Sequence, residues 1–519
     1  MRLYGWSVFP AAIGFFTYLH FGGAGRGVFL YQGARALFAP LRTLASRLPW
    51  AVGITIGLSA VGWYLAWPKS VGVAALITFG GVIIYRALQP NTEEGGEGIA
   101  AQKSNEPMAI NLGHERGKPN RKVVIHDQDL NHHVHIVGAS GFGKSVLLSH
   151  FIKARITSGS GLLFVDLKAD FETIRQVVSV AKAADRLDDL TIFSIGNPDI
   201  SHPYNVIGAG TANQIKDRIM GALIWSEEYY KNEAQSFLLK LLRGLAALRD
   251  SKGVKFDLSD VLQCLNDPKE ISGIANALPL SQETIRLELE SLSGHLQKAE
   301  NLKALQGLKS QLESLLLSDF GHLLKGSSNE ISLFNAIRDR KIVFVLLDSR
   351  TYGESSRALG KLILQDLKAA SAKVDNEIPR SERTSFGVII DEFADMASED
   401  FIGFLDRARS SKISVTPAHQ EIADLARISP EFARRLMNST STTFAFLQKL
   451  PESSELISGI AGTRKTKEVT EQAKSNWLFG DEKTGMKSIK EVDEFIIHPN
   501  IVRSLSVGEC VLIQKYPKS

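Results

Sequence analysis

Residues 134–148, VHIVGASGFGKSVLL, carry the strongest structural signal in the chain. The stretch opens as a short apolar strand, passes through a glycine-rich turn and enters a helix. Gly138, Ala139, Ser140, Gly141, Phe142, Gly143, Lys144 and Ser145 satisfy G-x-x-x-x-G-K-S/T at every fixed position. The three glycines let the backbone wrap so that successive N–H groups aim at phosphate oxygens. A helix following the loop turns its positive N-terminal end to the same anion. The spacing assigns Lys144 to the β- and γ-phosphates and the Ser145 hydroxyl to Mg²⁺, so ATP with Mg²⁺ is the expected cofactor. The pattern occurs by chance in long chains, but here a strand precedes it and an amphipathic helix follows, which is the context it requires.

A second element lies at residues 386–396, FGVIIDEFADM, a buried strand ending in Asp391 and Glu392. An acid at such a strand tip, Asp391, can hold the Mg²⁺ shell, and the next, Glu392, can polarise a water for in-line attack on a γ-phosphate. A charged loop after a core strand would explain either acid alone. Both elements in this order point to ATP binding and hydrolysis. Further short apolar strands read LLFVD (162–166), LTIFSI (190–195), IVFVLL (342–347), ISVTPA (413–418) and TTFAFL (442–447). They are continuously apolar, as strands covered on both faces should be. The expected fold is α/β, a RecA-like P-loop core with a mostly parallel sheet. Between about 208 and 325 the apolar residues fall at helical spacing, as in QSFLLKLLRGLAAL, so an all-α domain is expected there. The nucleotide-binding domain is then built from 108–207 and 326–519.

Composition sets the remaining bounds. A chain of 519 residues has room for about three domains of ~150 residues. Cys264 and Cys510 are the only cysteines, which excludes a disulfide framework and a Cys-rich metal site. The net charge of +4 is uneven: up to Thr92 there are seven basic residues and no acidic one. Taking those seven from 60 leaves 53 Lys and Arg against 56 Asp and Glu from Glu93 onward. A basic nucleic-acid coat is therefore absent from that part, and any positive charge for DNA must be local, as in a pore lining. Two uncharged apolar runs, WAVGITIGLSAVGWYLAW and SVGVAALITFGGVIIY, are separated only by Pro68 and Lys69. Each is close to the ~17-residue lower limit for a bilayer span. Residues 1–88 are thus expected to form a membrane anchor, a transmembrane helical hairpin spanning about 50–67 and 70–86, with 6–21 a further candidate span. The basic residues flanking the hairpin put both ends in the cytoplasm. A buried hairpin in a globular core is the alternative. Residues 89–107 are polar and glycine-bearing and read as a linker.

The order of elements resembles the type IV secretion coupling proteins, the TraD-like inner-membrane ATPases of conjugation related to the FtsK and HerA DNA translocases. The residues carrying the resemblance are the membrane hairpin, the P-loop, FVDLKAD (164–170), HPYNV (202–206), the helical insertion and VIIDEFADM. Two departures stand out. Asp166-Leu167-Lys168-Ala169 replaces the usual Asp-Pro-Lys-Gly, and Tyr204-Asn205-Val206 replaces Phe/Tyr-Asn-Pro. Residues 409–420, RSSKISVTPAHQ, are similar to the segment in which an Arg-led helix end feeds a strand closing in Gln. The resemblance implies that Gln420 senses the γ-phosphate and positions water. It also implies that Arg409 is an arginine finger given to the neighbouring subunit. Arg407 is also eligible, and helix-end arginines complementing the dipole are the bland alternative.

The resemblance further implies a homo-hexameric ring in the bacterial inner membrane, with its ATPase domain in the cytoplasm. Single-stranded DNA, relaxase or relaxosome proteins and inner-membrane type IV secretion components would be its partners. A docking receptor for secreted proteins, in which ATP controls assembly, and a DNA translocase outside type IV secretion are rival readings. Two motifs read as decoys. LSGHLQ (292–297) resembles an ABC-transporter signature but lies far from Asp391, and NHHVH (131–135) reads as a strand lead-in rather than a metal site.

Overall fold

The computed structural model describes residues 109–476 and 480–515. The expected spans at 6–21, 50–67 and 70–86 and the linker at 89–107 lie outside the described residues. Among those described, no helix is long and apolar enough to cross a membrane.

Among the described residues, twelve strands follow in chain order. A hairpin pairs β1 (Ala109–Glu115) with β2 (Lys118–His126). The central strands are β3 (Val134–Val137), β4 (Gly161–Asp166), β5 (Leu190–Ser194), β6 (Ile342–Leu346), β7 (Phe386–Ile390), β8 (Ile413–His419) and β9 (Thr442–Ala445). A long hairpin of β10 (Thr463–Asn476) and β11 (Gly480–Phe495) precedes the last strand, β12 (Val511–Gln514). Eight of them form one sheet in the order β12-β9-β3-β8-β7-β4-β6-β5. Every neighbouring pair is parallel except β12 with β9, which is antiparallel. The five strands read as LLFVD, LTIFSI, IVFVLL, ISVTPA and TTFAFL all occur, with ends displaced by at most two residues. Neither hairpin is foreshadowed by those apolar runs. β10 and β11 are rich in charge and offer no apolar run to read.

The sheet is covered on both faces, and alternate residues of one strand prove it. In β4, Leu162 and Phe164 enter one apolar cluster while Leu163 and Val165 enter the other. On the first face helix α1 (Lys144–Thr157) packs Leu148, Phe151, Ile152 and Ile156 against Ile136, Phe164 and Phe344. The parallel register sets Phe164 opposite Phe344, with ring centroids 4.9 Å apart. Helix α2 (Phe171–Ala183) follows β4 on that face, its N-terminus capped by Asp170, whose side chain accepts from Glu172 N–H.

Between β5 and β6 the described chain is helical. Helix α3 (Ala212–Ala222) starts on a Thr211–Gln214 capping box, and α4 (Glu228–Lys252) ends on Gly253 at φ +70°. Leu238, Leu241, Leu242 and Leu245 form the buried stripe of α4, in the same cluster as Leu289, Leu292 and Leu296. Gly244 makes that contact close: a Cβ there would lie 2.6 Å from Leu289 Cδ1. The same core continues unbroken into Val165, Val345 and Val388 of the sheet. HPYNV makes the joint. Tyr204 donates its hydroxyl to Asp366 Oδ2 at 2.8 Å, and Arg218 of α3 reaches Asp366 Oδ1 at 2.9 Å. Asp366 belongs to α5 (Ser349–Glu377), and Asn205 Nδ2 donates to Phe256 O at 2.8 Å.

Candidate nucleotide site

The strand order creates the site. β8 lies between β3, which feeds the glycine loop, and β7, which ends in Asp391 and Glu392. Gln420, the residue after β8, therefore falls between the two elements that the sequence pairs. Ligands of open parallel sheets bind outside the carboxyl ends of the strands, where these residues cluster.

The loop is held by main-chain bonds. Gly138 N–H donates to His419 O at 3.3 Å, Ala139 N–H to Leu447 O at 3.0 Å, and Gly508 N–H to Phe142 O at 3.1 Å. Gly138 cannot carry a side chain, because a Cβ would lie 2.3 Å from Phe446 Cβ. Gly143 caps the helix at φ +115°, a conformation that L side chains rarely adopt. Helix α1 has no side-chain cap and no acid in its first turn, so its N-terminal N–H groups retain their attraction for an anion. Lys144 donates to Gly138 O, with Ala139 O at 3.4 Å. Burial lowers the Lys144 ammonium pKa, and the Glu392 and Asp391 carboxylates oppose that shift.

Beside the loop, Asp391 is anchored by its N–H to Val165 O at 2.9 Å and is buried. Glu392 takes the left-handed conformation at φ +52°, uncommon outside glycine and frequent at functional sites. Two side chains converge on its Oε1. Gln420 Nε2 donates at 3.0 Å and Lys168 Nζ lies at 2.6 Å. Lys168 also stands 3.4 Å from Asp391 Oδ2. Burial raises the Glu392 pKa, yet Lys168 and Gln420 together bring it below the ordinary carboxylate value. Asp166, at the tip of β4, is pushed up to about 6 by burial and by the Asp391 charge. Gln448, itself fully buried, donates from Nε2 to Gln420 O at 3.2 Å.

Ser145, Asp166, Lys168 and Asp391 line one groove of about 770 Å³ between α1 and α2. A hydroxyl and carboxylates are the hard oxygen donors Mg²⁺ selects, and that ion usually takes only one or two carboxylates beside water and phosphate. The residues present therefore fit the expected metal.

The structure brings together the loop residues 138–145, Asp391, Glu392 and Gln420. It does not bring Arg409 to them within the chain. Arg409 caps helix α6 (Asp400–Ala408) before β8 begins, and is exposed, with Nη2 3.5 Å from His132 Nε2. The seven residues of β8, about 23 Å of strand, separate that end from Gln420. Lys168, in the segment that departs from the usual Asp-Pro-Lys-Gly, joins the site through its bridge to Glu392, a contact that sequence spacing does not announce. His133 and His135 are engaged in the interior. His133 donates from Nε2 to Leu405 O at 2.8 Å and accepts Val415 N–H at Nδ1 at 3.1 Å. His135 and His419 stack with Nε2 atoms 2.7 Å apart, and His419 Nδ1 faces Glu421 O at 2.9 Å.

A parallel sheet that binds at its carboxyl edge, a glycine loop leading into a helix and an acidic strand tip define a P-loop protein. Comparison with known proteins narrows this class. Residues 385–506 match the family described as the TraM recognition site of TraD and TraG. The chain is 25% identical over 397 residues to the type 4 coupling protein DotL of Legionella pneumophila, covering 66% of this chain and 50% of DotL. It thus spans about half the length of that curated relative. The fold is similar to that of the conjugative coupling protein TrwB lacking its first 70 residues, at TM-score 0.54 and 15% identity, covering 76% of this chain and 85% of TrwB. TrwB in complex with ADP and Mg²⁺ gives TM-score 0.54 and 14% identity, covering 80% of this chain and 93% of that one. The chain is thus similar to type IV secretion coupling proteins, in residues 385–506 by sequence and over most of its length by fold.

Proposed function

We propose that the chain is a membrane-anchored ATPase that couples a DNA–relaxase substrate to a type IV secretion channel. ATP hydrolysis in a homo-hexameric ring would drive single-stranded DNA transfer in conjugation. The observation that carries the reading is the convergence of Gln420 and Lys168 on Glu392 at the edge of the glycine loop. TrwB, with the same fold, has been solved with ADP and Mg²⁺, which supports the cofactor assignment. The anchor is residues 1–88 in the inner membrane, followed by the linker at 89–107. Residues 108–207 and 326–519 form the cytoplasmic nucleotide-binding domain, with 208–325 as an all-α domain available for partner recognition.

In this mechanism residues 138–145 cradle the phosphates with main-chain N–H groups, and Lys144 neutralises the β- and γ-phosphates. Ser145 and Asp391 would hold Mg²⁺, which when bound supplies charge neutralisation for the leaving diphosphate. Glu392 orients a water and takes its proton as the oxygen bonds to the γ-phosphorus. The bond to the bridging oxygen then breaks, and ADP and phosphate leave. Gln420 can accept from the water and donate to Glu392 or the γ-phosphate, the two ends of its amide serving both needs. Arg409 acts on a neighbouring subunit's site, where such a finger is worth about 10³–10⁵ in rate.

The test is steady-state ATP hydrolysis by the detergent-solubilised full chain at low salt, with and without single-stranded DNA. Stimulation by DNA that is lost in Lys144→Ala supports the motor. Hydrolysis indifferent to DNA favours a docking receptor, and equal hydrolysis in Lys144→Ala overturns the site.

A further inference from the structure

The site holds more cationic charge than a single P-loop lysine supplies. Lys144 and Lys168 both act on Asp391 and Glu392, and each feels the other's ammonium or the same carboxylates. Their settings differ. Lys144 is buried and bonded back onto the loop, whereas Lys168 is half-buried and lines the groove that Ser145 enters. Among the described residues, side-chain contacts to Glu392 and Asp391 hold the Lys168 ammonium, while its own N–H is fixed to Asp166 Oδ1 at 2.9 Å. The backbone on either side is thus anchored and the head group can be exchanged. A lysine ammonium is a compact charge on a flexible four-carbon stem, suited to such exchange.

The bridge also bears on chemistry. Glu392 Oε1 accepts from Lys168 at 2.6 Å and from Gln420 at 3.0 Å. Both donors occupy the oxygen that a water would otherwise hydrogen-bond to, so a water gains access to it once the ammonium has moved away. The γ-phosphate of a bound triphosphate is the added negative charge that could draw it off, and a diphosphate brings no such group.

We propose that Lys168 senses the γ-phosphate alongside Gln420: its ammonium moves from Glu392 and Asp391 to the terminal phosphate of a bound triphosphate, freeing Glu392 to orient the attacking water. The inference rests on the nucleotide-site reading above. It makes Lys168 the source of discrimination between triphosphate and diphosphate, and Lys144 the source of affinity for both.

The experiment is equilibrium binding of fluorescent ADP and of a fluorescent non-hydrolysable ATP analogue, with Mg²⁺, to the full chain in detergent. Lys168→Met should weaken the triphosphate analogue about tenfold or more while changing ADP affinity less than about twofold. Lys168→Arg, which keeps the charge, should preserve most of the preference. Lys168→Gln, which keeps a donor for Glu392, should behave as Lys168→Met and guards against a folding defect in the methionine variant. An unchanged triphosphate-to-diphosphate ratio in both neutral variants overturns the inference while leaving the site intact. Equal loss of both ligands in the two neutral variants, with folding retained, also overturns it by making Lys168 a general affinity residue. A wild-type chain that binds neither ligand overturns the nucleotide-site reading itself.

Discussion

Ala169 stands at φ +54°, a conformation that favours glycine. An L side chain in that conformation costs about 1 kcal/mol relative to glycine. Ala169→Gly should therefore raise stability by about 1 kcal/mol in chemical denaturation, even though glycine loosens the unfolded chain. The neighbouring Asp166 and Lys168 were visible as a motif, but the carboxylate partners of Lys168 lie more than two hundred residues away, across strand pairings that spacing does not encode. Glu392 and Gln420 were legible because each closes a buried strand. The buried histidines supply a second residue-scale prediction. Burial holds His133 and His419 at about 4, below the ordinary 6.5. As pH falls from 6.5 the unfolded chain binds protons first, so stability present above pH 6.5 is lost progressively toward pH 4. At 1.36 kcal/mol per pKa unit the loss is about 3 kcal/mol for each imidazole, measurable as a falling melting midpoint across that window.

At the scale of elements, the joint between the helical segment and the sheet depends on the buried Tyr204–Asp366–Arg218 cluster. Arg218→Met leaves Asp366 buried without its cation and should cost about 3–5 kcal/mol. Tyr204→Phe removes one hydrogen bond and should cost about 1–3 kcal/mol. Denaturant titration of both variants would check the order, and equal stabilities would refute the joint. Continuous apolar runs made the seven strands from β3 to β9 legible, and helical periodicity revealed the segment between β5 and β6. The hairpin of β10 and β11 escaped notice because its strands, such as TRKTKEVTEQAKSN, alternate without an apolar face. β1 and β2 escaped for a similar reason, since most of their residues are exposed.

At the scale of the whole molecule, Arg409 lies at the end of β8 opposite Gln420, so its proposed role demands a second chain. Arg409→Ala and Lys144→Ala should each be inactive alone, yet mixed before assembly they should regain part of the hydrolysis. Mixed rings pair an intact arginine with an intact loop at some interfaces. No recovery in mixed, assembled rings would place Arg409 among helix-end cations that only complement a dipole. The order of elements was readable from the chain because short motifs mark it, and the fold is shared with TrwB at only 15% identity. The central claim is that Glu392 is the catalytic base of an ATP-hydrolysing site, and Glu392→Gln tests it most directly. The variant keeps the shape of the side chain and removes its charge. Measured by single-turnover hydrolysis beside nucleotide binding, it should bind Mg²⁺-ATP about as tightly as the wild type and hydrolyse it about 10²–10⁴-fold more slowly. Wild-type hydrolysis by Glu392→Gln would contradict the account.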